Sequence, residues 1–439
     1  MTHILFYGIA PTVGDTAIGQ SILARLNANC PLPLRIFTTH PETFSKLPEA
    51  AGATVHGRLP AVPVPSLRSP LFPLQLTRLI ADLRATGGLR TLSSESHAAL
   101  RDALEGCAAV VLQGGPNWND RWMGTAKALE RWLFVEAAHH YGAKVFHVGV
   151  SCGPFDWSWP RGVWLRPIAR AALSRHDLLI VRDSYSTAAL ERLGVRTNVV
   201  SSTDAAVFLE PRANDEEFGD VESLIKSETE RPRVAVCVRD LQPRYGYDEQ
   251  SKSRLWSDIA RVLDQIQRDH ATVFFLGTDY AEQESKLSDL TVAKRIKSMM
   301  KTPGAVVIKT EVWDASALKH FYGLFDVMLS MRLHPSILAL GQGTPSLVIS
   351  YDRKCEDFLA QIGKPEWALP FTDFDPEATI SKVAELLRTP DSRQTTQSAM
   401  ATLAARHADD WDPMYNAIND RAAAATFRSA SKASFPLGT

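Results

Sequence analysis

Cysteine is scarce in this chain, and neither sign of charge is in excess. Among 439 residues there are five cysteines, and 48 Lys and Arg stand against 49 Asp and Glu, a formal net charge of −1. Nucleic-acid binding runs on a surplus of clustered Lys and Arg, so this balance disfavours such a partner. Cys30, Cys107, Cys152, Cys237 and Cys355 are far apart, odd in number and free of any Cys-x-x-Cys pair. That spacing argues against a structural zinc site or a secreted disulfide framework, and for reduced thiols in a cytoplasmic protein. No window reaches the roughly 18 uninterrupted apolar residues that a spanning helix needs. The stretch from Met1 to Gly8 has no basic region and its apolar run is soon cut by Gly8, Pro11 and Gly14, so no signal peptide is expected. Internal repeats are absent too. What is present is a 45% apolar, 22% charged chain, long enough for roughly two or three domains, each with its own core.

Short β-branched or apolar runs alternate with longer helical patterns, the mark of βα units and a parallel sheet. Strands are expected near Ile4–Tyr7, Leu34–Thr38, Ala109–Gln113, Lys144–Val150, Leu178–Arg182 and Asn198–Ser201. A second set is expected near Val234–Val238, Thr272–Leu276, Ala305–Lys309, Asp326–Ser330 and Ser346–Ser350. The acidic stretch Glu210–Arg233 carries two prolines and no clear period, and reads as a linker in which Val221–Ile225 forms at most a short helix. The fold class is therefore α/β, with an N-terminal Rossmann-like domain over 1–209, a linker over 210–233, a C-terminal Rossmann-like domain over 234–421 and a flexible tail over 422–439. Five prolines between Leu59 and Pro73 give an irregular loop leading into the amphipathic run Leu74–Leu83. Acceptor contact and a role-free surface excursion are both open readings of that loop.

Ligands of doubly wound sheets bind beyond the carboxyl ends of the strands, so the residues that follow each strand carry the functional information. After the first strand come Gly14 and Asp15, where a helix start would offer free N–H groups, or where Asp15 simply caps the helix. The spacing is not that of a dinucleotide fingerprint. After the third come Gly114, Gly115, Asn117, Trp118, Asn119 and Asp120, residue types suited to sugars. After the fourth come Gly153 and Pro154, with Cys152 read as a small buried thiol rather than a nucleophile. Arg182 ends the fifth strand, with Asp183 or Ser184 capping the next helix, either as a crevice cation or as half of a bracing pair. In the second half Arg239 follows the first strand, and Met331-Arg332-Leu333-His334-Pro335 follows a buried strand and leads into a helix. On an extended entry the two-residue spacing would point Arg332 and His334 to one side, a fork donor beside a titratable imidazole. Tyr351, Arg353 and Lys354 follow the last strand as a positive rim or as a solvated cluster.

Gly14-Asp15, Gly114-Gly115 with Asp120, Gly153-Pro154, Val181-Arg182-Asp183 with Ser186 and Leu190, Ser201–Asp204, Arg332-Leu333-His334 and Tyr351-Asp352-Arg353-Lys354 together resemble the polysaccharide pyruvyl transferase family. The resemblance runs in order from about residue 3 to residue 360. It departs at Pro335, where the family often has Ser or Ala, and at Gln113 or Pro116, where the family has a third glycine. The resemblance implies two Rossmann-like domains facing across a cleft, as in B-type glycosyltransferases, with the N-terminal domain on the acceptor side and the C-terminal domain on the phosphoenolpyruvate side. It implies transfer of a carboxyethylidene group from phosphoenolpyruvate, as co-substrate, to two hydroxyls of a sugar, with no further cofactor and no metal. The acceptor is then a surface polysaccharide or its lipid-linked precursor, which would bring a cytoplasmic enzyme to the inner face of the membrane as a peripheral protein.

The residues suit that chemistry. A ligand with a carboxylate and a phosphate wants several cationic donors, for which Arg332 and Arg182 lead and Lys354 and Arg239 follow. Gly14, Gly114, Gly115, Asp120 and Tyr351 complete the expected binding set. His334 is the expected general acid or base, and Asp15, or Asp120 across the cleft, the expected acceptor of the hydroxyl proton. A nucleotide-sugar glycosyltransferase of the same plan and a non-catalytic glycan-binding protein are the two rival readings.

Overall fold

The computed structural model describes the whole chain except residues 1, 11, 116–117, 120–123, 156–160, 197, 228–229, 242–247, 280–286, 309–313 and 434–439. Two compact units emerge. The first comprises Met1–Ala10, Ile22–Thr203 and Ala408–Thr439, the second Pro11–Ser21 and Asp204–His407.

The first unit holds a seven-stranded sheet of β1 (His3–Gly8), β2 (Leu34–Thr38), β3 (Thr54–His56), β4 (Cys107–Gln113), β5 (Lys144–Val150), β6 (Leu178–Val181) and β7 (Val199–Ser201). Their order is β3-β2-β1-β4-β5-β6-β7 and every pairing is parallel. The second unit repeats the plan with β8 (Arg233–Cys237), β9 (Thr272–Leu276), β10 (Val306–Ile308), β11 (Val327–Ser330), β12 (Ser346–Ser350) and β13 (Ala368–Pro370), ordered β10-β9-β8-β11-β12-β13 and again all parallel. In both sheets the chain starts in the middle, winds outward, then returns to wind the other way, which puts a topological switch point between β1 and β4 and between β8 and β11.

Helices cover both faces of such sheets, so the central strands are continuous apolar runs; all seven residues of β4 are buried. That continuity makes eleven of the thirteen strands legible in the sequence to within two residues. The two that are not, β3 and β13, are three-residue edge strands, half exposed and therefore without an apolar run.

Two boundaries depart from expectation. The stretch 210–233 is not a free linker. It contains the helix Asp215–Ser227, whose Phe218 and Ile225 are buried in the second unit's core, with Phe218 stacked on Phe321 at 4.7 Å. Phe218, Val221 and Ile225, spaced three and four residues apart, anchor that helix in the core, and in the sequence the many acids around them hide the period. At the other end, the helix Asp412–Ala433 covers most of the expected flexible tail, and it packs with the first unit, where Trp411 is buried and Arg25 donates to the Tyr415 hydroxyl at 3.0 Å.

Within the first unit, His147 on β5 stacks on His176 at 5.6 Å, both buried. Burial lowers both pKa values, that of His176 from 6.5 to about 4. The folded pair thus refuses protons that the unfolded chain accepts, so stability falls as pH drops from 6.5 towards 4. For His176 alone the difference is worth about 3 kcal/mol. The urea midpoint should therefore fall between pH 7 and pH 4.5, and the fall should shrink in His176→Gln; an equal fall in both proteins would refute the assignment.

Candidate functional site

Most of the expected residues belong to the second unit, following its strands or lying in the stretch Pro11–Ser21. β11 ends at Ser330, whose hydroxyl accepts from the Arg332 amide at 2.9 Å and donates to the Arg332 carbonyl at 2.8 Å, fixing the exit of the strand. Arg332 stays extended (φ −121°, ψ 134°) and the helix Leu333–Leu340 begins directly after it, with Pro335 in the first turn. Because the backbone turns helical at Leu333, the same-side geometry of an extended entry does not hold, and Arg332 and His334 find different partners.

The Arg332 guanidinium reaches Asp289 at 2.6 Å and Asp279 at 2.9 Å, both carboxylates almost wholly buried. Burial opposes its charge, but Asp289, with smaller contributions from Tyr351 and Cys237, leaves its pKa raised. The expected role of Arg332 as a free anion clamp is thereby corrected: its charge is spent on Asp279 and Asp289.

His334 points elsewhere. Its Nε2 lies 3.4 Å from Asp204 Oδ2, an ion-pair distance without a hydrogen bond. Asp204 is itself held, since its Oδ1 accepts from the Ala206 amide at 3.0 Å and so caps the short 3₁₀ turn Ala205–Phe208. The opposite side of the imidazole abuts Gly14: a Cβ there would sit 2.1 Å from His334 Nδ1. Gly14 therefore matters for its missing side chain. Asp15, for which the sequence leaves capping and a proton-accepting role both open, lies in the first turn of the helix Val13–Asn29. Its carboxylate accepts from the Thr12 hydroxyl at 2.7 Å, and its amide donates to that same oxygen at 3.3 Å, so Thr12 supplies the capping oxygen.

Arg239, two residues past β8, is 8% exposed. It donates to the Tyr351 hydroxyl, and its guanidinium lies over the Tyr351 ring at 4.8 Å. Tyr351 follows β12 directly, and Lys354 lies in the first turn of the next helix, Arg353–Gln361, capped by Asp352.

In the first unit, Gly114 follows β4 where a Cβ would meet the Gly149 backbone at 2.1 Å. Gly115 comes next, its carbonyl accepting from the Ser151 amide at 2.9 Å. Gln113, one of the two positions at which the resemblance departs from a third glycine, bridges Ile9 through two bonds of 3.0 Å at the switch point between β1 and β4. Arg182 donates to Ser151 Oγ at 2.6 Å, Ser151 donates to Asp183 at 2.9 Å, and Asp183 caps the helix Ser184–Leu193 by accepting from the Ser186 amide at 2.6 Å. Arg182 is thus part of a bracing relay. Burial pushes the Cys152 thiol up, as befits the inert reading. Asp120 lies outside the described residues.

Sequence reasoning overlooked Asp279 and Asp289, and Asp204 was noted without a role. Asp279 carries a usable signal, as it follows the end of β9 by three residues. Among the described residues no three His, Cys, Asp or Glu side chains converge as metal ligands, and no helix is long and apolar enough to cross a membrane.

Comparison with known proteins bears on the family and the fold. The family model for polysaccharide pyruvyl transferase matches residues 13–353. The amylovoran biosynthesis protein AmsJ of Erwinia amylovora is 24% identical over 317 residues, 70% of this chain and 72% of that protein. Among solved structures, a glycosyltransferase from Rickettsia africae aligns with a TM-score of 0.55 at 10% identity, covering 95% of this chain and 98% of that one. The UDP-GlcNAc 2-epimerase from Neisseria meningitidis, bound to UDP-GlcNAc, aligns at 0.53 and 11% identity, covering 92% and 99%. These likenesses speak for the fold, an α/β plan with two parallel sheets as the sequence leads one to expect.

Proposed function

The chain belongs to the polysaccharide pyruvyl transferase family, a family of transferases in polysaccharide synthesis, and from that premise we propose that it moves the carboxyethylidene group of phosphoenolpyruvate onto two hydroxyls of an exopolysaccharide sugar or its precursor. The observation that carries the reading is His334, set between the helix-capping carboxylate of Asp204 and the bare backbone of Gly14, in the first turn of a helix at the switch point of the second sheet.

In this scheme Arg239, backed by Tyr351, and Lys354 hold the carboxylate and phosphate. Arg332 acts as a positioning residue, tying the β11 exit to Asp279 and Asp289. Protonated His334 delivers its proton to the methylene carbon, and the first sugar hydroxyl bonds to the central carbon as it loses its own proton, for which Asp15 is the available carboxylate. The second hydroxyl then displaces phosphate, which leaves with the electron pair of the broken C–O bond and takes up the second hydroxyl proton. The Arg182 relay with Gly114 and Gly115 shapes the crevice of the first unit for the sugar. No further cofactor enters the balance.

Phosphoenolpyruvate should raise the melting temperature, by an amount equivalent to about 2.7 kcal/mol at a hundredfold excess over its dissociation constant, while UDP-GlcNAc should not. Arg239→Met should abolish that shift. His334→Ala should keep it and lose phosphate release in the presence of acceptor. Stabilisation by the nucleotide sugar alone would reverse the conclusion in favour of a glycosyltransferase.

A further inference from the structure

Apolar exposure in this protein is concentrated. Among the described residues six large hydrophobic side chains are exposed, and four of them, Leu67 (47%), Leu71 (57%), Leu74 (48%) and Leu89 (63%), fall within the proline-rich loop and the helix–turn that follows it in the first unit. The helix Phe72–Thr86 turns Phe72, Leu79 and Leu83 inward. Leu71, Leu74, Arg78, Ala81 and Ala85 repeat at intervals of three and four residues and form its outward stripe. The loop lies beside that stripe, because Pro63, Val64 and Pro65 share one groove with Gln75, Arg78 and Leu92.

The exposed charge of this segment has one sign. From Gly57 to Ser93 there are five arginines, Arg58, Arg68, Arg78, Arg84 and Arg90, and a single acid, Asp82. Asp82 is buried and turned inward, its carboxylate accepting from the Arg90 amide at 3.0 Å and the Thr91 amide at 2.8 Å, which fixes the turn that presents Leu89 and Arg90. Arg84 is spent on Glu136 at 2.7 Å. The other four arginines are exposed. In a chain whose total charge is −1, four exposed leucines and four exposed arginines within this one segment are a marked local departure.

We propose that this face, the 57–93 segment of the first unit, is a docking surface for a lipid bilayer with anionic headgroups, the leucines entering the headgroup and acyl boundary and the arginines lying on the phosphates. Apolar insertion and electrostatic attraction add in such binding, and neither suffices alone for firm attachment. The inference does not depend on the reaction assigned to the second unit, and its test uses no substrate.

The full chain should sediment with vesicles of phosphatidylcholine mixed with phosphatidylglycerol and stay in solution with phosphatidylcholine alone, with binding weakened at high salt. Leu71→Ser/Leu74→Ser and Arg68→Gln/Arg78→Gln should each lower the partition coefficient by more than about tenfold, with melting temperature unchanged because all four side chains are exposed. Failure of the unaltered protein to bind the anionic vesicles, equal binding to uncharged ones, or binding indifferent to both pairs of substitutions would overturn the proposal. So would a concentration-dependent dimer that the leucine substitutions dissolve in the absence of vesicle binding, which would make a second copy the occupant.

Discussion

Gly14→Ala should cost at least about a hundredfold in phosphate release from phosphoenolpyruvate, the lower end of what a positioned proton donor contributes. A methyl group at residue 14 would come within 2.1 Å of His334 Nδ1 and 2.5 Å of its Cγ, so the imidazole must leave its place beside Asp204 or the helix start must shift. Overpacking of this kind costs about 1–3 kcal/mol, so the variant should fold and still be stabilised by phosphoenolpyruvate through Arg239 and Lys354. If the damage runs through His334, the double variant with His334→Ala should be no slower than His334→Ala alone, since the two changes remove one and the same function. Normal turnover by Gly14→Ala would sever His334 from the mechanism.

The second large effect concerns stability. Arg332→Met takes the guanidinium away from two almost wholly buried carboxylates, and breaking a buried ion pair from one side costs about 3–5 kcal/mol. Urea unfolding should show that loss. Adding Asp289→Asn to Arg332→Met should recover part of it, because one of the two stranded charges is then removed. The outcome separates two roles for the same residue. A variant that keeps its stability and loses only phosphoenolpyruvate binding would return Arg332 to the part of ligand clamp.

These two predictions also mark where the sequence stops being readable. Strand ends are local events: a buried parallel strand is a continuous apolar run, and the polar residues after it must lie at the sheet's edge, so Arg239, Arg332, His334 and Tyr351 could be picked out one strand at a time. What those side chains touch is not local. The partners of Arg332 lie 43 and 53 residues away, and the residue that makes room for His334 sits near the start of the chain. A guanidinium that follows a strand looks the same in a sequence whether a ligand or a pair of aspartates neutralises it. The helix after β11 shows the same limit at short range: a one-residue difference in where it begins separates two side chains that an extended chain would have aligned. The surface of the 57–93 segment was visible only as a run of prolines before an amphipathic stretch, because whether a leucine is exposed is decided by what packs on it.

The way the chain is threaded has a consequence for its biosynthesis. The first unit is built from three separated stretches, the last of them Ala408–Thr439, and that stretch supplies the buried Trp411 and the helix carrying Tyr415. All of Asp204–His407 is translated before it. A ribosome therefore releases the second unit's sheet complete while the first still waits for its closing helix, the reverse of the N-terminal-first order usual for multidomain chains. A premature stop after residue 407 would spare the second unit and leave the first unfinished.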